Sequence, residues 1–147
     1  MQTQTVVITG ASAGIGRAAA RLFGARGARV GLIARGQAGL DGAARDVQEA
    51  GGTALAISAD VSDYDQVTAA ARQVEQELGP IDVWVNVAFT SVFAPFEQIT
   101  AAEFRRVTEV SYLGFVHGTI EHPFHGRKGD RGYQSRPDFQ ALVQASR

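Results

Sequence analysis

Short apolar runs alternate along the chain with longer stretches in which apolar residues recur every three or four positions. The short runs predict four β-strands, at residues 6–8, 28–35, 54–59 and 81–88. The longer stretches predict helices that end near residues 27, 50, 78 and 119. Such alternation is typical of an α/β fold with a parallel sheet between helices. We therefore predict a four-stranded parallel sheet with helices on both faces.

Local residue types predict where the helices begin and which residues face inward. Ser62 with Asp65 is the expected cap of the third helix, and Thr100 with Glu103 forms a capping box for the fourth. The expected inner face of the first helix consists of Ile15, Ala19, Leu22 and Phe23. The expected inner face of the fourth helix consists of Phe104, Val107 and Val110.

The pattern changes at Ile120. Residues 120–147 contain two of the three histidines, two prolines, the sole lysine and no run of β-branched residues. This composition predicts an irregular, poorly ordered tail, with a short helical turn at residues 139–143. We therefore divide the chain into a folded unit at residues 1–119 and a tail at residues 120–147.

Composition and charge exclude several classes of function. The net charge is −1 and the 14 basic residues are scattered, which argues against nucleic-acid and anionic-membrane partners. There is no cysteine, so disulfide frameworks and thiolate chemistry are excluded. The N-terminus lacks the pattern of a signal peptide, and no apolar run is long enough to span a bilayer. We predict a cytoplasmic protein.

Three histidines cluster near the end of the fourth predicted helix. His117, His122 and His125 lie close together, but Gly118 and Pro123 make the segment irregular. A metal site needs a rigid arrangement of ligands. We therefore predict a polar tail here and no metal site.

The first strand leads directly into a glycine-rich turn at residues 9–16 and then into an alanine-rich helix. Gly10 permits a tight turn, Gly14 lets the backbone approach a pyrophosphate, and Gly16 lets the helix pack closely. Free N–H groups of the first helical turn would face the phosphates. An ordinary strand-to-helix turn is the alternative. The predicted phosphate-binding residues are Gly10, Ser12, Gly14, Ile15 and Gly16.

Two further segments complete a familiar pattern. Asp60 and Val61 follow the third strand, and Asn86 and Ala88 stand at the end of the fourth. With the glycine turn led by Thr9, these segments resemble the short-chain dehydrogenase/reductase family over residues 5–119. The resemblance implies a Rossmann-like doubly wound fold, of which this chain holds the N-terminal half, and a bound nicotinamide dinucleotide.

The resemblance also implies roles for these residues. Asp60 and the Val61 amide would hold the adenine, while Asn86 and Ala88 would border the cofactor. Two structural alternatives stay open. Asp60 could cap the helix that follows it, and Asn86 could be a buried amide that ties neighbouring strands together.

The residue that ends the second strand indicates which dinucleotide binds. In dinucleotide folds, an acidic residue there accepts the ribose hydroxyls of NAD, and a basic residue accommodates the 2′-phosphate of NADP. This strand ends at Arg35, and the next carboxylate, Asp41, lies inside a helix. A guanidinium suits a phosphate, so we predict NADP rather than NAD. A solvated surface arginine is the alternative, since Ala13 occupies the other position that is basic in NADP-using relatives.

The catalytic pair that the resemblance implies is missing. Family members transfer hydride between the cofactor and a carbonyl or alcohol, with a tyrosine acid/base and a lysine four residues later. An isolated tyrosine titrates near pH ~10, which is too high for efficient proton transfer without a nearby cation. No lysine follows Tyr64, Tyr112 or Tyr133 at that spacing, and the only lysine, Lys128, is preceded there by Phe124. We predict no catalytic residue in this chain.

The expected function is therefore the NAD(P)-binding portion of an oxidoreductase. Ser111 stands where the family's relay asparagine would fall, and the family's strand order leaves the fourth strand as an unpaired edge. Two alternatives stay open: a non-catalytic module that senses NADP or binds a partner, and an enzyme that uses Tyr112 or Tyr133 with an arginine. By resemblance, the helix that begins at Thr100 could form a homo-oligomer.

Overall fold

The computed structural model describes residues 3–121, which form a four-stranded parallel sheet with helices on both faces. The strands lie in the order β3-β2-β1-β4. Their bounds are Thr5–Thr9 for β1, Arg29–Ala34 for β2, Thr53–Ser58 for β3 and Val83–Asn86 for β4. The predicted α/β fold with a doubly wound parallel sheet is confirmed.

Within residues 3–121, five α-helices connect or follow the strands. They are α1 (Gly14–Gly24), α2 (Gln37–Glu49), α3 (Tyr64–Leu78), α4 (Ala101–Thr108) and α5 (Gly114–Glu121). A 3₁₀ turn, Phe96–Gln98, precedes α4, and a π-helical turn, Glu109–Leu113, joins α4 to α5. The single helix predicted to end at residue 119 is thus interrupted, and α5 continues through Glu121, where the described residues stop. The remainder of the predicted tail, with its short helical turn, lies outside the described residues.

The core consists of two layers, one on each face of β1. Val6 and Ile8 pack with Ala20 of α1 and Leu40 of α2. Val7 faces the opposite way, into a layer that includes Val67 and Val74 of α3 and Val110 of the π-helical turn. Alternate side chains of a strand point to opposite faces, so the consecutive apolar residues Val6, Val7 and Ile8 fit a strand that is covered on both sides.

The inner face of α1 agrees with the prediction only in part, since Ala19 and Phe23 pack against the core as expected. Ile15 and Leu22 are 75% and 64% exposed, whereas Gly16, Ala20 and Gly24 are buried. These three small residues recur every four positions, and the two glycines approach neighbouring backbone closely: Gly16 that of Gly10 and Ala11, and Gly24 that of Val47 in α2. The buried face of α1 therefore consists largely of small residues in close backbone contact, whereas the three- and four-residue spacing of apolar residues favoured large side chains there.

Two helix starts show which capping predictions hold. The capping box of α4 is confirmed, since Glu103 N–H donates to Thr100 Oγ1 and Thr100 N–H donates to the Glu103 carboxylate. The predicted cap of α3 is wrong, because the N-cap is Asp63, whose carboxylate accepts from Gln66 N–H.

Phe104 also departs from its predicted inward position. Its side chain is 57% exposed, whereas Val110 is buried as predicted. Phe104 lies in α4, before the π-helical turn that shifts the faces of the two helices relative to each other.

β4 is an edge strand, as predicted, because it pairs only with β1 within the described part of the chain. Side chains pack on both of its faces, since Val83 and Val85 lie against one core layer and Trp84 lies against the other, although all four β4 residues are partly exposed. Near it lie three exposed phenylalanines, Phe89, Phe93 and Phe96. Within residues 3–121, no helix combines the length and the apolar character needed to cross a bilayer.

Candidate functional site

An open cleft of about 380 Å³ runs along the carboxyl ends of the strands. In open parallel sheets this edge is where ligands bind. Nine of the ten predicted cofactor residues line it: Gly10, Ser12, Gly14, Ile15, Gly16, Arg35, Asp60, Val61 and Ala88. The tenth, Asn86, lies outside the lining. Segments far apart in sequence therefore meet at one site.

The glycine turn after β1 packs directly against the segment after β4. Gly10 has a φ of +69°, and a Cβ at this position would lie 2.7 Å from the Ala88 Cα atom. The neighbouring Thr9 is buried, and its hydroxyl oxygen accepts hydrogen bonds from the N–H groups of Val87 (3.1 Å) and Ala88 (3.3 Å). Residues 10 and 88 are thus held together, which closes one side of the cleft.

The N-terminus of α1 opens into the same cleft. Gly14, its first residue, has a φ of +54° and no atom within 4 Å of where a Cβ would stand. The N-cap, Ala13, supplies no side-chain hydrogen bond, and no acidic residue lies in the first turn. The backbone N–H groups of this turn are therefore available to an anion.

Arg35 lies at the end of β2, on the rim of the cleft. Its carbonyl accepts a hydrogen bond from the Ser58 hydroxyl at 3.1 Å, which links the ends of β2 and β3. Two ion pairs form within residues 3–121, and neither includes Arg35. Arg35 is thus an exposed residue of the cleft lining, with no carboxylate paired to it among the described residues.

Asp60 is the acidic residue of the cleft lining, and its carboxylate is held by two neighbours. Ser62 donates to Oδ1 through its N–H (3.0 Å) and its hydroxyl (2.8 Å), and Arg106 Nη2 donates to Oδ2 (2.7 Å). Burial raises the pKa of Asp60, but these hydrogen bonds together outweigh burial and hold its pKa below the ordinary value. The carboxylate is not the cap of α3, which excludes that alternative reading.

Asn86 ties the sheet to a helix rather than strand to strand. Its Oδ1 accepts from Trp84 Nε1 at 3.0 Å, and its Nδ2 donates to the Phe115 carbonyl and the Thr119 hydroxyl, both at 3.3 Å. The side chain therefore fixes α5 against β4. The alternative interpretation of Asn86 as a tethering amide is therefore right, but the amide joins β4 to α5 and not to a neighbouring strand.

Tyr64 and Ser111, which were compared from the sequence with the family's catalytic residues, make contacts outside the cleft. Tyr64 packs against His117, with ring centroids 5.4 Å apart, and nearby Glu121 raises the pKa of Tyr64. Ser111 lies in the π-helical turn, where its hydroxyl donates to the Thr90 carbonyl at 2.8 Å. Neither Tyr64 nor Tyr112 lines the cleft. Tyr133 and Lys128 lie outside the described residues.

The histidine cluster is described only at His117. Its Nδ1 lies 2.8 Å from the Val61 carbonyl, to which it donates a hydrogen bond. In the part of the chain that the structure describes, no three potential ligands gather as a metal site would require.

Sequence reasoning missed several residues of the cleft. Arg106, Val110, Val87 and Phe89 also line it. Arg106 precedes Val110 by four positions, so the two share one helix face. That spacing was the available signal, because Val110 was already expected to point inward.

Comparison with known proteins gives this cleft a family context. A family described as short chain dehydrogenase matches residues 4–129. The 3-dehydrosphinganine reductase of Danio rerio is 39% identical over 119 residues, which cover 78% of this chain and 36% of that protein.

Solved structures agree with the sequence matches. A short chain dehydrogenase of Mycobacterium thermoresistibile superposes with a TM-score of 0.77 at 31% identity, over 80% of this chain and 45% of that one. An alcohol dehydrogenase of the archaeon Thermococcus sibiricus, complexed with 5-hydroxy-NADP, superposes with a TM-score of 0.75 at 32% identity, over 82% and 52%. The chain thus spans about half of these proteins or less. It belongs to the short-chain dehydrogenase/reductase family.

Proposed function

We propose that the chain binds NADP in the cleft at the carboxyl edge of the sheet. The observation that carries this proposal is the order of the polar groups along that edge. The N-terminus of α1 follows β1, Arg35 follows β2, and Asp60 follows β3. An extended dinucleotide crossing the edge would meet pyrophosphate, ribose-phosphate and adenine sites in that sequence.

The cofactor's other half would extend in the opposite direction along the same edge. From the glycine turn, the neighbouring strand on that side is β4, and the segment after it contributes Ala88 and Phe89 to the lining. These residues would border the nicotinamide. Asn86 would act beneath them, by holding β4 against α5.

Charge supports NADP over NAD. A 2′-phosphate near the end of β2 would lie beside the Arg35 guanidinium, which can donate two parallel hydrogen bonds to it. The one acidic side chain of the lining, Asp60, is already paired with Arg106, which reduces its repulsion of the cofactor phosphates. The structural relative complexed with 5-hydroxy-NADP supports the same preference.

We infer that the bound cofactor serves hydride transfer between NADP(H) and a carbonyl or alcohol. The names of the reductase and alcohol dehydrogenase relatives support this reaction. The 147 residues contain no Tyr-x-x-x-Lys sequence to protonate the carbonyl oxygen. Binding without turnover is therefore expected of this chain by itself.

Titration of the purified chain with NADPH and with NADH, followed by nucleotide fluorescence, tests the proposal. We expect NADPH to bind more tightly, and Arg35→Gln to lower NADPH affinity by about tenfold or more while NADH affinity changes little. Arg72→Gln is the matched control, because Arg72 is an exposed arginine of α3 outside the cleft. Equal affinities for both nucleotides in the unaltered chain would contradict the assignment to NADP.

A further inference from the structure

Arg106 lines the nucleotide cleft, yet it belongs to none of the three motifs that identified the site. It lies on α4, and its side chain is 33% exposed. Both of its terminal nitrogens are engaged. Nη2 donates to Asp60 Oδ2 and Nη1 donates to the Ser62 hydroxyl, each at 2.7 Å.

These contacts form a closed ring. Arg106 bridges Asp60 and Ser62, and Ser62 in turn donates its hydroxyl and its N–H to Asp60 Oδ1. The ring links the loop after β3 to α4, 46 positions away in sequence. Hydrogen bonds to both of its oxygens therefore fix the orientation of the Asp60 carboxylate.

The ring leaves the Asp60 carboxylate able to accept one more hydrogen bond. A carboxylate accepts about four hydrogen bonds, and Asp60 receives two on Oδ1 and one on Oδ2. One acceptor position is left, on Oδ2. Since Asp60 lines the cleft, this position is suited to a hydrogen-bond donor on the bound ligand.

We propose that Arg106 is a positioning residue, which orients the Asp60 carboxylate so that the cleft selects a purine with an amino group at C6. This inference rests on the proposed binding of NADP. The amino group of adenine donates a hydrogen bond to the open position. The oxygen of a 6-oxo purine would instead place its lone pairs against the carboxylate.

An arginine suits this role better than a lysine. The planar guanidinium places two N–H groups at a fixed angle, so it contacts Asp60 and Ser62 at the same time. A lysine ammonium would supply the charge without the fixed geometry. The role therefore depends on orientation as well as charge.

The test compares NADPH with its 6-oxo analogue, in which hypoxanthine replaces adenine, by measuring the Kd of each. We expect the unaltered chain to prefer NADPH by about tenfold or more, and Arg106→Gln to reduce this preference to within about twofold. The loss of positive charge weakens the binding of both nucleotides equally, so this effect cancels in the ratio of the two Kd values. Arg105→Gln is the matched control, because Arg105 is the neighbouring arginine of α4 outside the cleft.

Further variants separate orientation from folding. If circular dichroism shows that Arg106→Gln does not fold, Ser62→Ala replaces it, since this change opens the ring and retains the Arg106–Asp60 ion pair. We expect Ser62→Ala and Arg106→Lys to give intermediate preferences. NADPH binding with an unchanged preference in every folded variant would overturn the role of Arg106 and leave NADP binding intact. If neither nucleotide binds to the unaltered chain, the role of Arg106 and the proposed binding of NADP are both overturned.

Discussion

One buried hydroxyl joins the two sides of the cleft. Thr9 accepts hydrogen bonds from Val87 and Ala88, which are 78 and 79 positions away. The sequence identified Thr9 as the residue that leads the glycine turn. Its partners were not predictable, because no local pattern reports which backbone N–H groups a distant strand end presents. Arg106 and Asp60 illustrate the same limit, since their ion pair spans 46 positions.

Thr9→Val should destabilise the fold by about 1–3 kcal/mol, because it leaves two backbone N–H groups without their acceptor at nearly constant side-chain volume. Equilibrium unfolding in urea measures this change. Thr53→Val, at an exposed position of β3, is the control and should have little effect. Equal losses in the two variants would show that the hydroxyl of Thr9 contributes nothing specific.

The start of a helix was predictable where a local capping rule determined it. The buried face of a helix was less predictable, because it depends on packing against distant residues. The Thr100–Glu103 capping box follows from four consecutive residues, and the structure contains it. The start of α3 was misplaced by one residue, because Ser62 turns its hydroxyl to Asp60 and leaves the cap to Asp63. The buried face of α1 depends on how closely its small residues approach the glycine turn and α2, which the spacing of apolar residues does not reveal.

The cap of α3 makes stability depend on pH. Hydrogen bonds from Gln66 lower the pKa of Asp63 below its ordinary value. A lowered folded-state pKa means that the cap stabilises the fold fully above the unfolded pKa, and that this contribution is lost as the pH falls through the folded value.

Asp63→Ala should therefore lower the melting temperature by several degrees at pH 7, and the deficit should shrink as the pH falls below about 3.9. Thermal unfolding across this range measures the deficit. Asp65→Ala changes the charge of the same helical turn without removing the cap, so it should have a smaller effect at pH 7. A deficit that stayed constant down to pH 3 would argue against a charged cap.

The sheet as a whole shows which long-range features a sequence can predict. Four strands and their parallel arrangement followed from alternating patterns, and the free edge at β4 followed from the family's strand order. The chain spans 36% of the length of its Danio rerio relative, and within residues 3–121 its sheet ends at the edge strand β4. The contact of Asn86 with α5 was beyond prediction, because it depends on the π-helical turn that sets the position of α5.

The nucleotide cleft is best tested by NMR of the uniformly ¹⁵N-labelled chain during titration with NADPH. We expect saturable shifts in the amide signals of residues 12–16, Arg35 and Val61, because these groups would surround the bound cofactor. Signals from the outer face of α3, such as that of Arg72, should stay in place. Absence of saturable shifts at residues 12–16, or shifts concentrated on α3, would contradict NADP binding at the carboxyl edge of the sheet.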